Sequence, residues 1–231
     1  MLLYNSRHIQ NDSQVMTKKK SIRSLAALTQ AGLVKAEDVP ALEKVVDDFS
    51  LAITDQLHQL IDKANPNDPI AKQFVPSVEE LTVSPLELAD PISDDPFTPV
   101  KGIVHRYPDR CLFTPILVCP VYCRFCFRKE KIGSGSAALS QTEIDAAFHY
   151  INNQKEIWEV ILTGGDPLML KPAQLKSYID RLCQIEHVEV IRIHTRIPVV
   201  DSARINPEMV AALKCNKAVY VTLHANHPNA V

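Results

Sequence analysis

From Lys101 onward one pattern repeats, and it leaves few folds open. Four short, nearly continuous apolar runs, at 112–118, 160–163, 188–194 and 218–224, read as strands buried on both faces. Helical stretches at 141–152, 172–184 and 207–213 separate them. Strand–helix alternation at this spacing predicts a parallel sheet with right-handed crossovers. The fold class is therefore α/β, a (β/α) TIM-like barrel or part of one, with a doubly wound sheet as the alternative. A closed parallel barrel takes about six to eight units. The sequence stops at Val231, just past its fourth run, so the barrel is expected to be incomplete and the sequence reads as a truncated or partial chain.

Three regions are expected: a helical one at 1–64, a proline-rich connector at 65–100 and the barrel units at 101–231. In the first, Ser21 is placed to cap a helix that Gly32 stops. Asp38 and Pro40 open a second helix, and Thr54 caps a third that runs toward Asn65-Pro66. The connector carries Pro66, Pro69, Pro76, Pro85, Pro91, Pro96 and Pro99, which favour extended backbone. Its Ile70, Phe74, Val75 and Leu81 need apolar partners, so it is expected to strap across the barrel rather than hang free.

A net charge of −2 supplies no global field for nucleic acid or an anionic membrane, so neither is an expected partner. No apolar run approaches the roughly 20 residues of a spanning helix. The first ten residues lack a secretory pattern, and the run Lys18-Lys19-Lys20 reads as a solvated tail. The cytoplasm is the default location.

The chemistry is concentrated in Cys119-Pro120-Val121-Tyr122-Cys123-Arg124-Phe125-Cys126, directly after the first strand. Thiolates suit iron–sulfur clusters and zinc, and loops at the C-terminal ends of barrel strands are where barrel chemistry sits. An ordinary [4Fe–4S] centre takes four cysteines. Three cysteines in this short loop, with no close fourth downstream, leave one iron open to an external ligand. The competing readings are a Cys3His zinc site, a four-cysteine site using Cys111, and three merely buried thiols. No histidine lies at zinc-ligand spacing, and Cys111 belongs at the far end of its strand.

Other residues carry two readings each. Gly164-Gly165-Asp166-Pro167 either lets the backbone approach a ligand, with Asp166 accepting from an ammonium, or is a tight turn with Asp166 as a helix cap. Arg106, Tyr107 and Arg110 either hold a phosphate through paired guanidinium groups or form a surface ion cluster with Asp109. His194, Arg196, His224 and Asn226 cap the third and fourth strands, at the mouth of a site or as satisfied turn residues. Arg128, two residues past the last cysteine, should point toward the site. Arg124 reads as structural or as cluster charge, and Trp158 and the methionines read as packing.

The cysteine motif, with an aromatic residue just before its last cysteine, resembles that of the radical S-adenosylmethionine enzymes. The segments His105-Arg106-Tyr107-Pro108-Asp109-Arg110, Thr163-Gly164-Gly165-Asp166-Pro167-Leu168 and His194-Thr195-Arg196-Ile197-Pro198-Val199, with 66–70 and 76–81 upstream, resemble the lysine 2,3-aminomutase family. The likeness runs from about Ala41 to the end of the chain. It implies a partial barrel of the radical S-adenosylmethionine type and three cofactors: a [4Fe–4S] cluster on Cys119, Cys123 and Cys126, S-adenosylmethionine and pyridoxal 5′-phosphate. Gly164, Gly165, Asp166, His194, Arg196 and His224 would contact S-adenosylmethionine. Arg106, Tyr107 and Arg110 would hold the pyridoxal phosphate, and Arg128 the substrate α-carboxylate.

The implied enzyme is an isomerase that moves the α-amino group of L-lysine to C3, by way of a 5′-deoxyadenosyl radical and an imine on pyridoxal phosphate. A reductase would supply one electron, and homo-oligomerisation is compatible. The family's pyridoxal-binding lysine and its acidic ligands for the ε-amino group lie past Val231, so neither is assigned. Phe125 stands where free-lysine mutases often carry histidine. A lysine on translation elongation factor P, or another amino acid, is therefore an alternative substrate. A radical enzyme without pyridoxal phosphate, an inactive fragment, and a metal domain serving structure or electron transfer are the further alternatives.

Overall fold

A computed structural model describes residues 21–133 and 138–230. The expected tail at Lys18-Lys19-Lys20 and the first twenty residues lie outside that range.

The N-terminal helices are α1 (Leu25–Gln30), α2 (Val39–Asp48), α3 (Asp55–Leu60) and α4 (Ala71–Phe74). Ser24, not Ser21, caps α1: its hydroxyl accepts from the Ala27 N–H, while Ser21 lies one turn too early. Asp38 precedes α2 without a side-chain cap, and Pro40 occupies the first turn. Thr54 caps α3 as expected, but the helix stops at Leu60. The Asp68 carboxylate beyond it takes the N–H groups of Asp62, Ile70 and Ala71, so these residues turn instead of continuing the helix.

These helices share one core. Leu28, Val45, Ile53 and Leu57 are wholly buried in it, with Ile70 and Phe74 from the connector. Val75 and Leu81 pack on its margin. The apolar residues of the connector's first half thus find partners in the N-terminal core, not on the sheet. Val121, Val199 and Val200 enter the same core from the barrel region, so it grips the cysteine loop.

The barrel region contains β1 (Ile103–Tyr107), β2 (Arg110–Ile116), α5 (Gln141–Asn153), β3 (Glu159–Gly164), α6 (Pro172–Cys183), β4 (Val190–Thr195), α7 (Ile197–Val200), α8 (Pro207–Ala212) and β5 (Ala218–Leu223). The sheet order is β1-β2-β3-β4-β5. β2 to β5 run parallel and β1 pairs antiparallel with β2. The expected parallel strands are therefore present, and β1 is additional; its polar half, His105-Arg106-Tyr107, has no strand-like pattern. Between Val104 and Tyr107 the register shifts by a bulge.

Among the described residues helices cover one face only. Ile144, Phe148 and Ile151 of α5, Leu175, Tyr178, Ile179 and Leu182 of α6, and Met209 and Ala212 of α8 pack on Ile103, Cys111, Phe113, Val160, Leu162, Ile191 and Ile193. A doubly wound sheet would carry helices on both faces, so the architecture is an open part of a (β/α) barrel. β1 and β5 are its two edges, and it does not close. β5 is mostly exposed, with Tyr220 at 54%. Among the described residues no helix is long and apolar enough to cross a membrane.

Candidate functional site

The side chains that alternate away from the helices converge beyond the C-terminal ends of the strands. There Cys119, Cys123 and Cys126 line a cavity of about 420 Å³ together with Phe125, Arg128, Thr163, Gly164, Gly165, Asp166, His194, Thr195, Arg196, Thr222 and His224. The cysteine loop is anchored at several points. Tyr122 N–H donates to Ala52 O and Arg124 N–H to Gln73 O. The Arg124 side chain is buried; its Nε donates to Glu80 Oε1 at 2.9 Å, its Nη2 to Oε2 at 2.6 Å and its Nη1 to Ser50 O. Arg124 is thus structural, as one of its readings had it. Removing one member of such a pair leaves an uncompensated buried charge, so Glu80→Gln is expected to lower unfolding stability by about 3 kcal/mol, measured by urea denaturation.

Burial pushes the Cys119 thiol well up, with the nearby Asp166 charge adding to it, and pushes Cys123 up to about 11. These donors are soft and water-poor, as an iron–sulfur cluster needs. Among the described residues no three His, Cys, Asp or Glu side chains are placed to hold a single metal ion. Cys111 points the other way, into the helix-side core, where burial raises its thiol to about 12.

Gly164 and Gly165 are required by close approach. Gly164 has φ +102°, and a Cβ on Gly165 would stand 2.5 Å from Val118 N and O. Gly165 N–H donates to Ile116 O and Asp166 N–H to Val118 O, which ties the turn to the backbone entering the cysteine loop. Asp166 is buried and fully engaged by the protein. Oδ1 takes Leu168 N–H and Thr195 Oγ1–H at 2.7 Å, and Oδ2 takes Arg196 N–H at 2.7 Å. Its cap reading is realised at the 3-10 turn Pro167–Met169, and burial raises its carboxyl above the usual range.

Arg196 is only 6% exposed. Its guanidinium meets Gln73 Oε1, His224 and Asn226 Oδ1, and lies over the rings of Phe74 and Phe125 at 5.6 and 5.4 Å. Among the described residues no carboxylate pairs with it, so a buried positive charge faces the cavity. Burial and the Arg196 charge lower His224 below its ordinary 6.5, and burial with Arg192 lowers His194. The folded protein therefore favours neutral His224. Its contribution is complete above pH 6.5 and is lost as the pH falls through the lower folded value. An NMR titration of the His224 ring is expected to give a midpoint below 6.5.

The other expected residues are not all brought here. Arg128 lines the cavity. Arg106 and Tyr107 end β1 and Arg110 starts β2, at the end of that hairpin opposite the cysteine loop, and none of the three lines the cavity. Arg106 turns toward the connector, bonding Ile92 O, Ser93 O and Asp94. Arg110 is held by Asp109 at 2.6 Å and lies 3.8 Å from Glu159. The surface ion-cluster reading is thus present for Arg110 with Asp109, while Arg106 pairs with Asp94 instead. Trp158 is not packing: it is 41% exposed and donates to Asp109. Sequence reasoning missed Glu80, Asp94 and the buried Glu159, which pairs with Arg192 at 2.6 Å across β3 and β4. Only the period-two register of adjacent strands could have suggested the last.

The Radical SAM superfamily profile matches residues 113–230. An L-lysine 2,3-aminomutase of Acetoanaerobium sticklandii is 42% identical over 195 residues, 84% of this chain and 47% of the relative. An L-lysine 2,3-aminomutase of Fusobacterium nucleatum is 36% identical, covering 94% of this chain and 51% of the relative. A glutamate 2,3-aminomutase of Clostridioides difficile is 35% identical, covering 81% and 44%. The chain spans about half the length of the curated relatives it matches.

Proposed function

Because the chain belongs to the radical S-adenosylmethionine superfamily and, within it, to the lysine 2,3-aminomutase family, we propose that it forms the cluster- and S-adenosylmethionine-binding part of an aminomutase that moves the α-amino group of L-lysine to C3. The observation that carries this is one cavity lined by three soft thiols, the Gly164-Gly165 turn and a buried arginine that no carboxylate among the described residues pairs with.

Cys119, Cys123 and Cys126 would hold a [4Fe–4S] cluster with one iron open. When bound, it supplies the single electron that cleaves S-adenosylmethionine reductively. Gly164 and Gly165 let the turn pack against the backbone entering the cysteine loop, which sets it at the cavity wall where the cofactor's methionine end would lie. Arg196, preset by Gln73, His224 and Asn226, offers its charge to a carboxylate. Arg128 offers a second cation for the amino-acid carboxylate, and the apolar wall at Val121, Phe125 and Ile132 excludes water. Pyridoxal phosphate belongs to the reading through the family likeness alone. Arg106 and Arg110 are held by Asp94 and Asp109, and no step is assigned to the cofactor.

The glutamate-acting relative shows that side-chain preference varies among similar chains, so L-lysine is the first substrate to test. Anaerobic reconstitution is expected to give a brown protein with about four irons per chain, whose spectrum changes when S-adenosylmethionine is added. A colourless protein holding stoichiometric zinc would sink the proposal. Formation of 5′-deoxyadenosine without pyridoxal absorbance would keep the radical chemistry and remove the aminomutase step.

A further inference from the structure

Two arginines expected to act separately meet on one carboxylate. Asp94 Oδ2 accepts from Arg128 Nη2 at 2.6 Å, and Asp94 Oδ1 from Arg106 Nη2 at 3.3 Å. Arg106 belongs to β1 and Arg128 follows the cysteine loop. Asp94 is buried, at 8% exposure, and is not part of the cavity wall that Arg128 lines. It therefore reaches Arg128 from behind.

The turn around Asp94 is built to present it. Asp90 accepts the N–H groups of Asp94 and Asp95 at 2.9 and 2.7 Å, and these bonds hold its carboxyl below the usual range. Ser93 is the one non-glycine among the described residues with positive φ, at +52°. This backbone conformation persists only where its surroundings enforce it. Arg106 supplies the enforcement by binding the carbonyls of Ile92 and Ser93. Each guanidinium is also stacked, Arg106 over Phe97 at 4.8 Å and Arg128 over Phe127 at 4.4 Å. Two cations on one anion leave a net positive charge, and the side of Arg128 away from Asp94 faces the cavity.

We propose that Asp94 is a positioning residue that fixes the Arg128 guanidinium at the cavity wall for an incoming carboxylate and couples it to Arg106. The identity of that carboxylate, the α-carboxylate of an amino acid, rests on the function proposed above; the coupling does not.

The two parts are separable by residue-resolved phenylglyoxal modification of the full chain, read by peptide mass spectrometry, with Arg181 on α6 as control. Losing a charged hydrogen bond is worth about tenfold in an equilibrium. Asp94→Asn is expected to speed modification of both Arg128 and Arg106 about tenfold, with Arg181 unchanged and Asp94→Glu restoring most of the protection. In the reconstituted protein, the L-lysine concentration that half-protects Arg128 should rise about tenfold in Asp94→Asn.

Rates within about twofold of wild type, a rise at only one arginine, or an unshifted protection midpoint would overturn the proposal. If both arginines respond but L-lysine protects neither form, the substrate reading fails and the coupling stands. Should Asp94→Asn not fold, Asp90→Asn loosens the same turn from outside, and the same rise at both arginines is required of it.

Discussion

Cys119→Ser is expected to leave a folded chain that no longer retains iron. The substitution removes a soft ligand and nothing larger, so the packing of the loop through Val121 and the Arg124–Glu80 pair is undisturbed. Losing only an outer partner of a ligand costs about 10- to 100-fold in metal affinity. Losing a ligand itself should cost more, and only two thiols would remain. The measurement is iron and sulfide per chain after anaerobic reconstitution, beside a circular dichroism melt. Iron near wild-type level in Cys119→Ser would mean that the cluster, if present, sits elsewhere. Cys111→Ser is the paired control: it lies in the helix-side core and should alter the melt but not the iron.

Gly165→Ala is expected to act on both stability and cluster. The added Cβ would meet the backbone N and O of Val118 at 2.5 Å, and backbone has no rotamer by which to withdraw. Overpacking of this kind costs about 3 kcal/mol. Relief must come from moving the segment at 117–118, whose next residue is Cys119. A loss of iron beyond that explained by unfolding is therefore expected, tested by comparing iron content with the fraction folded at several temperatures. Gly32→Ala is the contrast: Gly32 has φ +70° and an added Cβ would meet only Lys63 Cδ at 3.9 Å, so it should change stability without changing iron.

How much of this was legible in the sequence follows from which interactions are local. The parallel strands announce themselves through apolar continuity, and α5 through its capping box, Ser140 with Glu143. The cysteine spacing is local as well, and so the thiols were placed on the right loop. β1 was not legible, because half its residues are polar and its pairing partner supplies the evidence for it. Asp94 and Glu80 were missed for a related reason. Each finds its arginine 34 or 44 residues later, and acidic residues in a proline-rich segment have no period that marks one of them as buried. The phosphate reading of Arg106 and Arg110 shows the converse. Adjacent in sequence around a turn, they are taken by different acids once the chain is folded.

The N-terminal core has a consequence for how the molecule comes into being. Its members include Leu28 and Leu57 but also Val199 and Val200, and Thr54 Oγ1 donates to Val200 O across 146 residues. During synthesis the first helices therefore leave the ribosome long before their last neighbours exist. At about 5–20 residues per second, the wait is on the order of 10 seconds. Through that interval the face carrying Leu28, Val45 and Leu57 lacks its cover, and the loop that will carry the thiols emerges without its final clamp. Cover of the layer and clamping of the cysteine loop through Val121 thus both draw on residues made late, in α7 and at Ala230.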